Sequence, residues 1–150
     1  MQISNSAYTG VDILLRLAAH EPDRPCTAQV LSEWTNHSIS STEMLMSRLR
    51  AAGLVRARRG PGGGYHLTRP ADQITVAEII KAFDEPRVLS RRPLNAITLE
   101  PETIDNLHGT DLLWEALKIR ILFFLSGVSL ADIAIGTVDP FADDQIGRAH

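Results

Sequence analysis

The spacing of apolar residues in the N-terminal third of the chain predicts three helices in succession. Between residues 4 and 19, apolar side chains recur every three or four positions, which is the period of an amphipathic helix: Ala7, Val11, Leu14, Leu15 and Ala18. A second helix is expected from Thr27, as its N-cap, through Trp34. A third is expected from 40 to 52, because Ser40 and Glu43 have the spacing of a capping box.

The pattern then changes to that of a hairpin. Leu54 to Arg58 alternates in the manner of a strand, and Tyr65 to Thr68 forms the expected return strand. The sequence Gly-Pro-Gly-Gly-Gly from Gly60 to Gly64 supplies the turn between them. Three helices followed by a two-stranded wing predict a mainly α, winged helix-turn-helix fold.

A long helix near the C-terminus completes this fold class. Thr75 and Glu78 form another capping box and open a helix from 76 to 83. Thr110 is expected to cap a helix that runs through Leu125, and Ser129 with Asp132 to cap a last short one. We therefore divide the chain into a winged-helix domain (1–85), an effector or sensor loop (86–109), a dimerisation helix with a short C-terminal helix (110–139) and a loose tail (140–150).

The long helix is apolar on most of its sides, and a helix of that kind must be buried on most of its sides. A small domain cannot supply so much cover, so we expect a second copy of the chain to pack against it. The expected dimerisation residues are Leu113, Trp114, Leu117, Ile121 and Phe124.

Charge distribution adds a candidate function. The net charge of the 150 residues is −3, yet the segment from Met44 to Ala71 contains no acidic residue and six arginines: Arg48, Arg50, Arg56, Arg58, Arg59 and Arg69. A basic stretch on an acidic body is typical of a DNA-binding module. The alternative is an ordinary solvated face, although such faces usually mix both signs.

Several other classes of protein are disfavoured. The longest charge-free apolar run, Ile121 to Ala131, is shorter than the ~20 residues a membrane helix needs, and no export signal is apparent. The single cysteine, Cys26, excludes an internal disulfide and an all-cysteine metal site. The glycine-rich turn lacks the Gly-Lys-Ser/Thr ending of a phosphate-binding loop, and no nucleophile–base pair stands out. We expect a cytoplasmic protein that contacts no membrane and is not an enzyme.

The third helix and the wing supply the candidate DNA contacts. In a helix-turn-helix, the N-terminal part of the second helix of the pair reads base edges in the major groove. Glu43 could accept from a cytosine amine, or serve only in the capping box, and Arg50 is expected on a phosphate. One wing arginine is expected in the minor groove, unless the wing is a plain flexible hairpin. The candidates are Ser38, Ser40, Ser41, Glu43, Met44, Ser47, Arg50, Arg56, Arg58, Arg59, Gly60, Gly62 and Tyr65.

The run from Ser47 to Glu85, with its wing arginines, glycine-rich turn and Tyr65, resembles the Rrf-type winged-helix transcriptional regulators, the family of IscR, NsrR and RirA. Ile74, Val76 and Glu78 match that pattern too. The resemblance implies a bacterial homodimer that binds a double-stranded DNA operator. We expect a transcriptional regulator in iron–sulfur, iron or redox homeostasis, and of the two modes of regulation, repression or activation, we expect repression. It implies DNA contacts at the positions of Ser38, Ser40, Glu43, Met44 and Arg59. Met44 stands where the family has a polar residue.

The chain departs from the family in the sensor loop. Many relatives hold an iron–sulfur cluster there with three cysteines and one further ligand, but residues 87–109 contain no cysteine. By position, the last cysteine falls near His108 and the further ligand on Asp111; Asp12 lies where some relatives supply a ligand from the partner. Cys26 is expected to be a small, half-buried residue at a helix start.

Two hypotheses follow from this departure. The first is a dimeric regulator without a cofactor, which answers to a small molecule, a thiol reaction or a partner protein. The alternative is an iron–sulfur sensor of the same fold with unusual ligation by Cys26, His108 and Asp111, since imidazole can replace some thiolates.

Overall fold

The computed structural model describes residues 3–20, 24–83 and 109–138, and its helices and hairpin follow the predicted order. The elements are α1 (Asn5–Ala19), α2 (Ala28–Thr35), α3 (Ile39–Ala51), β1 (Val55–Arg58), β2 (Gly64–Leu67), a 3-10 turn (Ala71–Gln73), α4 (Val76–Phe83), α5 (Gly109–Ser126) and α6 (Leu130–Ile135). His108, the predicted sensor loop as far as residue 108 and the predicted tail at 140–150 lie outside the described residues. None of the described helices is both long and apolar enough to cross a bilayer.

The core forms where α1, α3 and α4 meet beneath the hairpin. Its largest buried members come from every one of these elements: Ile13, Leu14, Met46, Leu49, Val55, Ile79 and Phe83. Gly10 lets α1 approach α4 closely, because a Cβ atom at that position would lie 2.2 Å from the Phe83 ring. Close packing of this kind leaves little tolerance for added volume.

Hydroxyl caps were predicted for five of the six helices, correctly at α2, α4 and α6 and wrongly at α3 and α5. Thr27 caps α2, the Thr75–Glu78 pair opens α4, and Ser129 with Asp132 forms a capping box on α6. At α3 the N-cap is Ser38, whose hydroxyl accepts from the Ser41 amide at 3.1 Å. Ser40 therefore already lies inside the helix, and Thr110 lies inside α5, which begins at Gly109.

The cap at α1 was not foreseen, although its chemistry is the same. Ser4 is extended, with φ −67° and ψ 148°, and its hydroxyl accepts from the Ala7 amide. An N-cap hydroxyl stabilises a helix because it satisfies an amide that has no partner within the helix.

The wing is attached to the start of α2 by main-chain hydrogen bonds. β1 and β2 pair antiparallel, with Val55 opposite Leu67 and Arg58 opposite Gly64. On the other side of β2, the Cys26 amide donates to the Tyr65 carbonyl at 2.9 Å, and the Tyr65 amide donates back at 2.7 Å. Gly64 permits this approach, because a Cβ there would lie 2.5 Å from the Cys26 carbonyl oxygen and its φ is +147°. β2 thus has a hydrogen-bonded neighbour on each of its two edges.

The base of the wing is also tied to α4. Arg69 donates to the Glu78 carboxylate at 2.9 Å and to the Gln73 carbonyl at 3.0 Å. The same carboxylate accepts from the Thr75 amide at 2.9 Å. Burial alone would raise the pKa of Glu78, but the hydrogen bonds from Thr75 and Arg69, with the Arg69 charge, lower that pKa overall.

A second connection joins α4 to the end of α5. The Val76 amide donates to the Val128 carbonyl, and the Leu130 amide donates to the Ile74 carbonyl, both at 2.9 Å. These bonds form an antiparallel bridge between Thr75 and Ser129, the two residues that cap α4 and α6. The first turns of α4 and α6 are therefore held side by side.

Candidate nucleic-acid interface

α3 has one buried face and one exposed face. Thr42, Leu45, Met46 and Leu49 point into the core. The opposite face is exposed and carries most of the predicted base-reading residues: Ser40, Glu43, Met44 and Ser47, with Arg50 one turn further on. This exposed surface, residues 40, 43, 44 and 47, is called the reading face below.

The first turn of α3 uses some predicted DNA contacts for its own capping. The Ser38 hydroxyl accepts from the Ser41 amide and donates to the Ser41 hydroxyl at 2.8 Å. Thr42 donates its hydroxyl to the Ser38 carbonyl at 3.0 Å. Ser38 and Ser41 thus lie at the predicted place, but their hydroxyls already have partners within the helix. The open amides of the first helical turn are suited to a phosphate group.

Glu43 is exposed on the reading face. Of its two expected roles, the capping box is wrong, because the N-cap is Ser38 and residue 43 lies beyond its first turn. A carboxylate in this position can accept from a cytosine amine, which remains the role predicted for it.

The turn before α3 is fixed by two contacts of His37 that were not predicted from the sequence. The Nε2 atom of His37 lies 3.2 Å from the Thr9 hydroxyl, which links this turn to α1. The His37 amide donates to the Ser32 carbonyl at 3.1 Å. No sequence period signals such a pair, since the two residues are neighbours only in the fold.

The wing presents arginines beside a tight turn. Arg56, Arg58 and Arg59 are exposed, and Arg58 ends β1 directly before Arg59. The Gly63 amide donates to the Gly60 carbonyl at 2.9 Å, and Gly62 has φ +71°. Proline followed by a residue of positive φ is the pattern of a type II turn. The tip is therefore an ordered turn in which Pro61 is flanked by glycines, which have no side chains to hinder approach to DNA.

Gly60 and Gly62 lie exposed in this turn, whereas Tyr65 is half-buried on β2. The main chain of Tyr65 is taken up by Cys26, as described above. Tyr65 pairs with Ala57, so along the hairpin it lies further from the wing tip than Arg58 and nearer to it than Arg56.

A basic groove of about 650 Å³, which was not predicted, lies between the end of α3 and the outer side of the wing. Its lining includes Arg50, Arg56, Thr68 and Arg69. Arg69 is partly buried and pairs with Glu78. Arg50 and Arg56 are the two exposed arginines of the groove. The groove was not predicted because the residues that line it are separated in the sequence.

The two predicted alternative cluster ligands that the structure describes, Cys26 and Asp111, do not fit an iron–sulfur cluster. Cys26 is 2% exposed, not half-buried as predicted, and it belongs to the hydrophobic core. Burial raises the pKa of its thiol, whereas a cluster needs thiolates. Asp111 is exposed in the first turn of α5, Asp12 pairs with Arg16 at 3.1 Å, and residues 3–20, 24–83 and 109–138 contain no group of three possible metal ligands.

Most of the chain matches the model of one known protein family. The family model described as "Rrf2: Iron-dependent Transcriptional regulator" matches residues 3–135. The chain belongs to the Rrf2 family. The match covers every described element, so the mainly α winged-helix fold predicted from sequence is confirmed, and this Rrf2 protein is a DNA-binding transcriptional regulator.

Individual relatives agree with this membership. The HTH-type transcriptional regulator IscR of Photorhabdus laumondii is 36% identical over 138 residues, which cover 89% of this chain and 79% of the relative. Among solved structures, T. potens IscR superposes with a TM-score of 0.70 at 27% identity, covering 91% of this chain and 88% of that one. CymR, described as the global cysteine regulator of B. subtilis, has a TM-score of 0.67 at 29% identity, with coverages of 91% and 98%.

Proposed function

We propose that this Rrf2 protein is a homodimeric repressor that places α3 in the major groove of its operator and the wing on the adjacent backbone and minor groove. The observation that carries the proposal is that the reading face and the wing arginines Arg56, Arg58 and Arg59 are all exposed, and that residues 44–71 contain no acidic residue. Its role is binding, with no catalytic step.

The dimer is proposed from the surface of α5. Leu113, Trp114 and Leu117 are 62%, 56% and 40% exposed. Ile121 and Phe124 continue the same side of the helix at three- and four-residue spacing and are half-buried. A second copy of the chain would cover this stripe, and a two-fold dimer matches an operator with two half-sites.

We propose further that the signal does not depend on a cysteine-ligated cluster. The support is the donor set, with one core cysteine and no cysteine at residues 87–109. The family model is described as iron-dependent, and one structural neighbour is a global cysteine regulator. We therefore place the regulated genes in iron–sulfur, iron or redox homeostasis, with a small molecule, a thiol reaction or a partner protein as the signal.

Operator binding is tested by selecting sites from random duplex DNA with the purified protein and measuring affinity at several salt concentrations. Arg59→Ala should weaken binding by more than about 1 kcal/mol, as expected for a base or groove contact. Arg50→Ala should lower affinity on all sequences and reduce the salt slope by about one. Lys81→Ala, an exposed cation on α4, is the matched control and should change neither quantity. Equal effects of all three substitutions would contradict the proposed interface.

The cluster question is decided by anaerobic purification, visible absorption and analysis of iron and acid-labile sulfide. We expect a colourless, iron-free protein that binds the selected operator. A brown protein with stoichiometric iron and sulfide, lost in each of Cys26→Ala, His108→Ala and Asp111→Ala, would establish the alternative of unusual ligation by these three residues.

A further inference from the structure

The reading face of α3 lacks the side chains that proteins most often use to recognise purines. Guanine is usually read by arginine or lysine, and adenine by asparagine or glutamine. Residues 39–47 contain none of these four types. What the reading face offers is two short hydroxyls, one carboxylate and one long apolar side chain, that of Met44.

Met44 is unusual among the apolar residues of α3. Its neighbours Leu45 and Met46 are 9% and 0% exposed in the core, whereas Met44 is 59% exposed. Ser40 and Ser47, one turn before and one turn after it, are small and exposed. Met44 therefore stands above its surroundings on the reading face and contributes nothing to the core. Its unbranched thioether can adapt to the surface that it meets.

We propose that Met44 is a specificity-determining residue that selects thymine by contact with its C5-methyl group; this inference rests on the proposed placement of α3 in the major groove. The methyl group of thymine is the apolar feature on the major-groove edges of the four base pairs. Contact between it and Met44 removes apolar surface of both partners from water. Against another base, the same side chain would cover hydrogen-bonding groups without satisfying them, which penalises the wrong base.

The inference can be tested with DNA that lacks single methyl groups. A site selected by the wild-type protein is synthesised with each thymine replaced in turn by deoxyuridine, which keeps every hydrogen-bonding group. We expect one thymine per half-site at which the replacement weakens wild-type binding about three- to tenfold, as for the loss of one buried methyl contact. In Met44→Ala that effect should fall below about twofold, because the two changes remove one shared contact.

A second variant separates recognition from general packing. Met44→Gln should shift the preferred base at this position from thymine toward adenine in a fresh selection, since an amide can pair with the adenine edge. Both variants should unfold at the same urea concentration as the wild-type protein, because Met44 is exposed.

The outcomes distinguish failure of the role proposed for Met44 from failure of the proposed function. Specific binding that no deoxyuridine weakens, or a deoxyuridine effect that persists in Met44→Ala, overturns the role of Met44 and leaves the proposed function standing. Failure of the wild-type protein to enrich any duplex overturns both.

Discussion

The winged-helix part of the molecule and α5 place their side chains in opposite ways. Within residues 24–83, apolar side chains such as Leu31, Met46 and Ile79 are fully buried and the arginines are mostly exposed. In α5, Lys118 is 7% exposed and pairs with Glu115 at 2.6 Å, whereas Leu113 and Trp114 are more than half exposed. The first arrangement is complete within one chain. The second leaves apolar surface that no other described residue covers, and we propose that a second copy of the chain covers it.

Mutations in these two regions should therefore be detected by different measurements. Changes in the winged-helix part should alter the free energy of unfolding, because its contacts are internal. Changes on the outer side of α5 should alter the state of association at little cost to the fold of one protomer.

The largest expected effect is loss of the dimer in the double variant Trp114→Asp, Leu117→Asp. Each substitution places a charge in the proposed interface, and anchors of this type contribute on the order of 2 kcal/mol or more. The dissociation constant measured by sedimentation equilibrium should therefore rise at least ~100-fold. Ile39→Asp, an exposed apolar residue of α3, is the control and should leave it unchanged. A double variant that sediments like the wild-type protein would disprove our interpretation of α5.

The next effect tests the attachment of the wing. Gly64→Ala combines a left-handed φ with a collision against the Cys26 carbonyl, so it should destabilise the protein by about 2–4 kcal/mol in urea denaturation. Gly60→Ala has a φ of +92° but no atom within 4 Å of the added Cβ, and it should lose only about 1 kcal/mol. Equal losses in the two variants would mean that the Cys26–Tyr65 pairing contributes little.

A smaller effect distinguishes the observed cap of α3 from the predicted one. Ser38→Ala removes the N-cap hydroxyl and should lower the free energy of unfolding by about 1 kcal/mol. Ser40→Ala should change it by less than about 0.5 kcal/mol, because the residue is exposed within the helix. The opposite order, found by chemical denaturation, would restore Ser40 as the cap.

The smallest effect is the coupling between Arg69 and Glu78. Both side chains are more than a third exposed, so a double-mutant cycle with Arg69→Gln and Glu78→Gln should give about 0.5 kcal/mol at neutral pH. The pKa of Glu78 is lowered by folding, so this stabilisation is present above the ordinary glutamate pKa of about 4.3 and is lost as the pH falls through the lowered value. A control cycle with Arg56→Gln and Glu78→Gln should give no coupling. A coupling between Arg69 and Glu78 that survives in acid would exclude the ion pair as its source.

Local signals account for what the sequence predicted. The periodicity of α1, the capping boxes of α4 and α6 and the wing turn each depend on residues a few positions apart. The cap of α3 was misplaced because Ser38 and Ser40 both have a suitable residue three positions later, Ser41 and Glu43. The choice depends on which residue stays extended, and Ser38 does, with ψ 153°.

The unpredicted features join residues that are distant in sequence. The bridge between Cys26 and Tyr65 and the packing of Gly10 on Phe83 each involve single residues with no repeating pattern. Cys26 was expected to be half-buried because its position at a helix start suggested a surface. The strand that covers it comes from the wing, and only the fold brings the two together.

The bridge between Thr75 and Ser129 has a consequence for hydrogen exchange. The amides of Val76 and Leu130 belong to different helices, yet each donates across the same bridge. Neither amide can reach solvent while the other segment remains in place. We therefore expect the starts of α4 and α6 to open together in hydrogen exchange, with one common free energy for the amides of Val76 and Leu130.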